Sequence, residues 1–401
     1  MTLSLIEAAL IEAAHAAPML DQVERWVAVN SGTGNLAGVA AMAGLLGDAF
    51  SALPGDVALV EAAPVEKVDT AGEVSGVEHG RHLHLTVRPQ AAVQMLFTGH
   101  MDTVYPVDHP FQTARWLADG SLNGPGAADM KGGLAILLAA LRAIEASPLA
   151  PRFGYEVVIN SDEETGSLSS SALLAQAARG KVAALTYEPA LPDGTLAGAR
   201  GGTGNFAITV RGRSAHAGRN PEEGRNAIVA AADLALRLNS AKRPGLSVNP
   251  ARIDGGGLNN VVPDRAVLRV NFRPGDAAAI AEAQAALDAT VAAVAADHDV
   301  EIAAHGSFNR PPKLIDPGAE RLFALVADAG ADLGIPVSWR ATGGVCDGNN
   351  IAATGVPVVD TMGARGGAIH SADEFMVPDS LPERAGLSAL TIARIIEKGQ
   401  P

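Results

Sequence analysis

Apolar and polar positions alternate along this chain in two rhythms. Residues 93–98 (VQMLFT) form a short, nearly continuous apolar run, which predicts a strand buried on both faces. Residues 131–146 (KGGLAILLAALRAIEA) carry apolar positions at helical spacing, open on small residues and close before Pro148. Residues 155–160 (YEVVIN) predict a second strand, 168–178 a helix and 182–187 a third strand. The same rhythm resumes with a helix at 319–333, a strand at 356–361 and a helix at 380–398. A β-α-β-α-β succession predicts an α/β fold: a mostly parallel sheet flanked by helices.

Between these halves the order changes. Strands are expected at 205–211, 246–253, 266–272 and 300–304, with helices at 224–238 and 276–297. That is the β-α-β-β-α-β order of a ferredoxin-like α+β unit. Gly201-Gly202 before it and Arg310-Pro311-Pro312 after it read as hinges. The expected organisation is one domain in two parts, 1–198 and 312–401, interrupted by an inserted domain at 199–311.

Composition narrows the partners. With 30 Lys+Arg against 44 Asp+Glu, the net charge of −14 argues against nucleic acid or an anionic membrane as partner. The single cysteine, Cys346, excludes an internal disulfide framework and fits a reducing compartment, so a cytoplasmic location is expected. Residues 3–17 are apolar but lack a basic flank and are interrupted by Glu7 and Glu12, which predicts a helix rather than a signal peptide. No uncharged apolar run reaches the roughly 18–20 residues of a membrane span.

The chemistry gathers at predicted strand ends, where open α/β sheets place their sites. In Thr98-Gly99-His100-Met101-Asp102, His100 and Asp102 are two apart and share a face in extended backbone. This suits a metal-ligating imidazole oriented by a carboxylate; a strand-end His paired with a turn Asp is the plainer alternative. The stretch GPGAADMKGG puts Asp129 just before a helix, as an N-cap or as a carboxylate shared by two metals. No phosphate-loop pattern is present there. Asp162, Glu163 and Glu164 follow a buried strand, where packed carboxylates repel unless cations or hydrogen bonds compensate. Glu188 ends the third strand, and His370 stands in HSADE near the carboxyl terminus. Together these form a ligand set for Zn²⁺, or for Mn²⁺ or Co²⁺. HExxH and GxSxG are absent, against a helix-borne zinc protease and a nucleophile-elbow hydrolase. His82 and His84 (RHLHLTV) are expected on an exposed strand face.

The ordered set GHMDTV, GPGAADMKGG, SDEETGS, EP, SAHAG and HSADE resembles the dinuclear zinc peptidase family. That family includes glutamate carboxypeptidases, aminoacylases, acetylornithine deacetylase and succinyl-diaminopimelate desuccinylase. The glutamate carboxypeptidase branch looks most similar. The resemblance implies a catalytic domain with an inserted lid and dimerisation domain, and two Zn²⁺ per subunit (Co²⁺ or Mn²⁺ as alternatives). It implies Asp129 as the bridging ligand, His100 and Glu188 completing one metal, and Glu164 and His370 the other. Asp102 would orient His100, and Glu163 would be general base and acid. A non-proline cis peptide would follow Asp129. His216 in SAHAG would donate to the oxyanion from the lid of a partner subunit. Arg273 (NFRPGD) and Asn260 (LNNVVPD) would bind substrate, with Arg310 and Gly344 as further candidates. Cys346 stands where relatives often carry a hydroxyl residue, so substrate preference is expected to differ; it is not expected to be a nucleophile.

The activity so implied is hydrolysis of the amide bond of an N-acyl amino acid or of a short peptide with a free carboxylate. An acetylornithine- or succinyl-diaminopimelate-type deacylase, a dipeptidase, and a non-catalytic peptide-binding relative are the alternatives. A homodimer formed through the lid is expected, with no nucleic-acid or membrane partner.

Overall fold

In the computed structural model, which describes residues 3–401, two sheets organise the chain. Their strands are β1 (Asp56–Val60), β2 (His82–Val87), β3 (Val93–His100), β4 (Phe153–Asn160), β5 (Ala183–Thr186), β6 (Thr203–Arg211), β7 (Leu246–Gly255), β8 (Arg265–Pro274), β9 (Glu301–Arg310) and β10 (Val358–Val359). The central sheet has the order β1-β2-β4-β3-β5-β10. Strands β3, β4, β5 and β10 run parallel, and β1 and β2 add an antiparallel edge.

Register decides where the chemistry falls. His100 pairs with Asn160 across β3 and β4, and Thr98 with Thr186 across β3 and β5. Three adjacent strands therefore stop almost level, and the loops after His100, Asn160 and Thr186 leave the sheet side by side. Helices bury the sheet's faces. Helix Gly132–Glu145 is buried along almost its whole length, and helix Ser380–Lys398 packs against it. The start of helix Gly132–Glu145 comes so close to the sheet that a Cβ at Gly133 would lie 2.0 Å from the Tyr187 carbonyl oxygen. Only glycine permits that approach.

The inserted unit is ferredoxin-like. Its sheet has the order β7-β8-β6-β9, antiparallel throughout, with helices Ala227–Asn239 and Ala277–His298 packed against it. Its separate core includes Ile208, Leu234, Val248, Leu268, Phe272 and Leu287. Phe206, Phe272 and Phe308 form a ring cluster with centroids 5.4–5.6 Å apart. Helix Ala277–His298, with a mean hydropathy of 1.3, is long and apolar enough to cross a membrane by length and composition. Its hydropathy comes largely from alanine, and here it is the second crossover helix of the inserted unit.

A hairpin, Val65–Val68 with Val74–Val77, reaches from the first domain onto the inserted sheet. Arg269 donates to the carbonyls of Val68 (3.0 Å) and Asp69 (3.1 Å), and Arg265 to Glu73 (2.7 Å).

Two expectations need correction. His82 is not on an exposed face: β2 is an interior strand, and the ring is 1% exposed beside Ser161 and Ser169. His84 is half-buried and pairs with Glu156 at 2.7 Å. Alternation alone looks the same on an interior strand as on an exposed one. The helix expected from 168 begins at Ser171, because Ser169 and Ser170 turn back to hydrogen-bond Asp162.

Candidate metal centre and active site

The level strand ends bring the predicted ligands together. His100 is the last residue of β3, and its Nε2 lies 3.0 Å from Asp129 Oδ1 and 3.8 Å from Glu188 Oε2. His370 Nε2 lies 3.3 Å from Asp129 Oδ2 and 3.2 Å from Glu164 Oε2. Asp129 thus presents one carboxylate oxygen to each histidine, and each histidine has a second carboxylate of its own. His100, Asp129 and Glu164 form one group that can hold an ion, and His100, Glu163 and Glu188 another.

The loop carrying Asp129 is held by a residue whose role the sequence did not disclose. Glu374 accepts hydrogen bonds from the amides of Gly126 (3.2 Å), Ala128 (3.0 Å) and Asp129 (3.1 Å), and from the Tyr105 hydroxyl (2.8 Å). Three converging amides and the Tyr105 hydroxyl favour the ionised form of the final acid of HSADE, against burial and the Asp129 charge, which together push its carboxyl up to about 7. Gly126 turns this loop at φ +73°, and the Asp129–Met130 peptide is cis, as the resemblance implies. Asp129 does not cap the helix that follows, whose N-cap is Lys131.

Asp102 braces the other side. Its carboxylate accepts from Thr33 Oγ1 (2.7 Å) and from the amides of Glu163 and Glu164 (3.2 Å each). His100 Nδ1 lies 3.0 Å from the Asp102 carbonyl and 3.4 Å from its carboxylate. One residue therefore orients the imidazole, chiefly through its backbone carbonyl, and docks the acidic loop through its carboxylate.

Without cations this cluster is electrostatically frustrated. Burial pushes Glu163 well above the usual carboxylate range, Glu164 up to about 7 and Glu188 upward. Hydrogen bonds to Asp129 and Glu164 lift His370 to about 10. Burial pulls His100 down, but its hydrogen bonds to Asp102, Asp129 and Glu188 outweigh this and hold it well above its ordinary value. Burial likewise opposes ionisation of Asp129, yet the two histidines hold its carboxyl well below the ordinary range. Glu188 Oε1 is buried with no hydrogen-bond partner among the described residues. An orphaned carboxylate oxygen within a carboxylate–imidazole cluster is what a divalent cation would satisfy.

The cluster opens into a cavity of about 680 Å³, lined at one end by Asp129, Glu163, Glu188 and His370 and further along by Arg200, Arg340 and the segment Thr342–Cys346. Leu191, Leu196, Val345 and Ile369 give it apolar walls. Arg200 clamps buried Asp360 through two hydrogen bonds (2.7 and 3.1 Å) and donates to the Gly344 carbonyl (3.1 Å). Cys346 lines the same wall, its Sγ 3.5 Å from Asp360, and burial pushes its thiol well up, away from a reactive thiolate.

The substrate-binding candidates divide. Gly344 is on the cavity wall. Arg310 is buried and donates to Glu163 Oε1 (2.7 Å), Glu163 O and Ser167 Oγ (2.8 Å each). Arg273 is exposed and lines a neighbouring cavity that shares Gly343 with that wall. His216 and Asn260 are exposed neighbours in the inserted domain, with the Ala217 amide bonded to the Asn260 carbonyl, and neither lines the cavity.

The family model described as peptidase family M20/M25/M40 matches residues 96–394. Carboxypeptidase G2 from Pseudomonas sp. (strain RS-16) is 27% identical over 388 residues, covering 93% of this chain and 88% of that protein. Succinyl-diaminopimelate desuccinylase from Acidovorax ebreus (strain TPSY) is 30% identical over 334 residues, covering 77% of this chain and 83% of that protein. Among solved structures, a tripeptidase from Staphylococcus aureus superposes with a TM-score of 0.72 at 22% identity, covering 95% of this chain and 98% of that one. Human carnosine dipeptidase 1 gives 0.69 at 16% identity, covering 99% and 100%.

The fold, the strand-end cluster and these relatives define a hydrolytic metallopeptidase with a catalytic domain and an inserted lid. The chain belongs to the peptidase family M20/M25/M40.

Proposed function

We propose that this chain releases an amino acid bearing a free α-carboxylate from an N-acyl amino acid or short peptide, using two divalent cations and Glu163. The observation that carries this is Asp129, whose two carboxylate oxygens face two histidines, each with its own further carboxylate. His100, Asp129 and Glu188 would hold one ion, and Asp129, Glu164 and His370 the other. The mixed imidazole–carboxylate set suits Zn²⁺, with Co²⁺ and Mn²⁺ chemically admissible. Bound there, such ions supply Lewis acidity and lower the pKa of a water molecule.

The protein's own groups do the rest. Glu163 lines the cavity beside the ligands and is assigned the proton transfers. Its raised proton affinity suits a group that takes a proton from the attacking water and passes it to the leaving nitrogen. Arg310, bonded to Glu163, sets that carboxylate's direction in the resting site. The developing oxyanion needs a hydrogen-bond donor. His216 is assigned this role, and because it does not line the cavity of its own chain it would come from a partner's lid. Dimerisation through the lid is supported by edge strand β7 and by exposed Val229, Leu236, Ile253, Leu258 and Val261. Substrate carboxylates would meet Arg273, Asn260 and Gly344, whereas Arg310, expected to face substrate, is buried against Glu163 and Ser167. The desuccinylase relatives support a succinylated amino acid as the second choice of substrate within the same reaction.

The test is a screen of the zinc-loaded protein against N-acyl amino acids, N-blocked dipeptides and free dipeptides, with glutamate at the carboxyl end first. Hydrolysis of blocked substrates, stopped by a chelator and restored by Zn²⁺, Co²⁺ or Mn²⁺, is expected. A requirement for a free amine would point to an aminopeptidase, and binding without hydrolysis to a non-catalytic relative.

A further inference from the structure

The helices of the inserted unit cover one face of its sheet, and Ile208 and Val210 of β6 and Leu268 and Val270 of β8 belong to the core beneath them. The residues between these point to the opposite face. Two of them, the cross-strand partners Thr209 and Val267, are nevertheless only 7% and 1% exposed. The turn of the hairpin at 65–77 covers them: a side-chain carbon added at Gly72 would lie 3.4 Å from Val267 Cγ2 and 3.8 Å from Thr209 Cβ. That turn is well defined. Asp69 accepts from the amides of Ala71 (2.8 Å) and Glu73 (2.9 Å), and Gly72 takes φ +80°. The root of the hairpin is tied to the catalytic domain, where the Ala63 amide donates to the Ser169 carbonyl (3.2 Å).

The hold on the lid is polar and shallow. Arg269 donates to two carbonyls, and Arg265 meets Glu73 in an ion pair whose side chains are both more than half exposed, a kind of contact that contributes little by itself. Behind the turn lies a cavity of about 460 Å³, lined by Glu66 and Lys67 of the hairpin and by Asn205, Asn271 and His305 of the lid. The position gives these weak contacts leverage. The chain crosses between the domains where Arg200 and Lys313 pair backbone to backbone (2.8 and 3.0 Å), just before Thr203 begins β6. Thr209 is six residues further along that strand, about 20 Å at the rise of an extended chain. Over that arm a hinge rotation of about 10° displaces the contact by about 3.5 Å, enough to break the hydrogen bonds from Arg269.

We infer that the hairpin at 65–77 is a releasable strap: it holds the lid in the setting seen here, and the lid must leave it to carry its groups to a substrate. The consequence for turnover rests on the hydrolase reading above; the strap itself does not.

Two variants test it. The first, Gly72→Cys with Thr209→Cys, exploits a Cβ separation of 3.8 Å, typical of disulfides. The chain's single cysteine, Cys346, is buried and does not compete. Cross-linked protein is expected to lose at least about tenfold in kcat at unchanged metal content and to regain it on reduction by a phosphine, as for a lid held from moving. The second, Glu73→Ala with Arg269→Ala, loosens the strap. Hydrogen exchange is followed in zinc-loaded protein at the amides of Gly202 and Lys313, bonded at the hinge to the carbonyls of Pro274 (2.8 Å) and Arg200 (3.0 Å). It is expected to quicken about tenfold in the alanine pair and to slow in the cross-linked protein. Full turnover in completely cross-linked protein, or hinge exchange indifferent to the alanine pair, overturns the strap. The alanine pair changes surface side chains away from the metal cluster, so exchange decides the matter even where the cysteine pair fails to fold. If the wild-type protein hydrolyses no N-acyl amino acid or peptide, the reaction reading fails and exchange still decides the strap.

Discussion

The catalytic domain and the lid hold their candidate site residues in opposite ways. His100, Asp129 and Glu188 are 1%, 5% and 8% exposed, and each neighbouring loop is fastened by a buried acid: Asp102 on one side, Glu374 on the other. His216, Asn260 and Arg273 of the lid are exposed, and none of them touches the metal cluster of its own chain. A buried carboxylate must be paired or neutralised, so the first set is built before any substrate arrives. The second set lies exposed on the inserted domain, where groups that complete a site only on closure or across a subunit boundary would be placed. On the proposed reading, half of this site is preorganised and half would be delivered.

That contrast can be broken or sharpened by experiment. Between the two halves, the largest effect is expected for His216→Ala in the lid, with kcat falling by about 10²–10³-fold, the usual cost of losing an oxyanion donor, while metal content and Tm stay unchanged. Mixing it with Glu163→Gln subunits sharpens the point. A hybrid dimer in which His216 acts across subunits has one intact site and regains activity; if His216 serves its own chain, no hybrid site is intact. Glu374→Gln tests the preorganised half. Loosening the Asp129 loop should weaken metal binding by about 10–100-fold, measured by competition with a chelating dye, whereas unchanged affinity would deny the loop its anchor. The smallest effect concerns pH. Without metal, His370 is pushed up to about 10 and Glu164 up to about 7, so both hold protons near pH 6. Those protons must leave as ions bind, so metal affinity should fall as pH falls, with protons released on loading. In the metal-free protein the raised His370 value stabilises the fold below its ordinary 6.5 and loses that contribution as pH rises through about 10. Release measured in weakly buffered solution checks this; none at pH 6 would contradict it.

Much of this was legible in the residues, for identifiable reasons. Short apolar runs end where strands end, so His100, the acids after Asn160 and Glu188 were all placed at the same edge of the sheet. Helix Ser380–Lys398 is bounded as expected, between Pro378 and an αL Gly399. What the residues concealed is mostly what joins distant segments. Nothing local marks Glu374 as the acceptor for amides nearly 250 positions away, or Thr33 as the partner of Asp102. The hairpin at 65–77 carries valines that range from buried Val68 to exposed Val74 with no strong alternation, and its purpose appears only where it meets Arg265 and Arg269. Arg310 was expected to face substrate, and its bond to Glu163 became visible only when the end of β9 met the acidic loop.

The claim that Glu163 moves the proton while other residues hold the metals is tested most directly by one paired measurement on Glu163→Gln. Metal content per subunit and kcat are determined on the same preparation, with an N-acyl amino acid that the wild-type protein hydrolyses. The expected result is full metal content with kcat reduced by about 10²–10⁴-fold, the contribution of a positioned general acid–base group. Wild-type turnover in a fully loaded variant, or loss of the metals along with activity, would contradict the role assigned to Glu163.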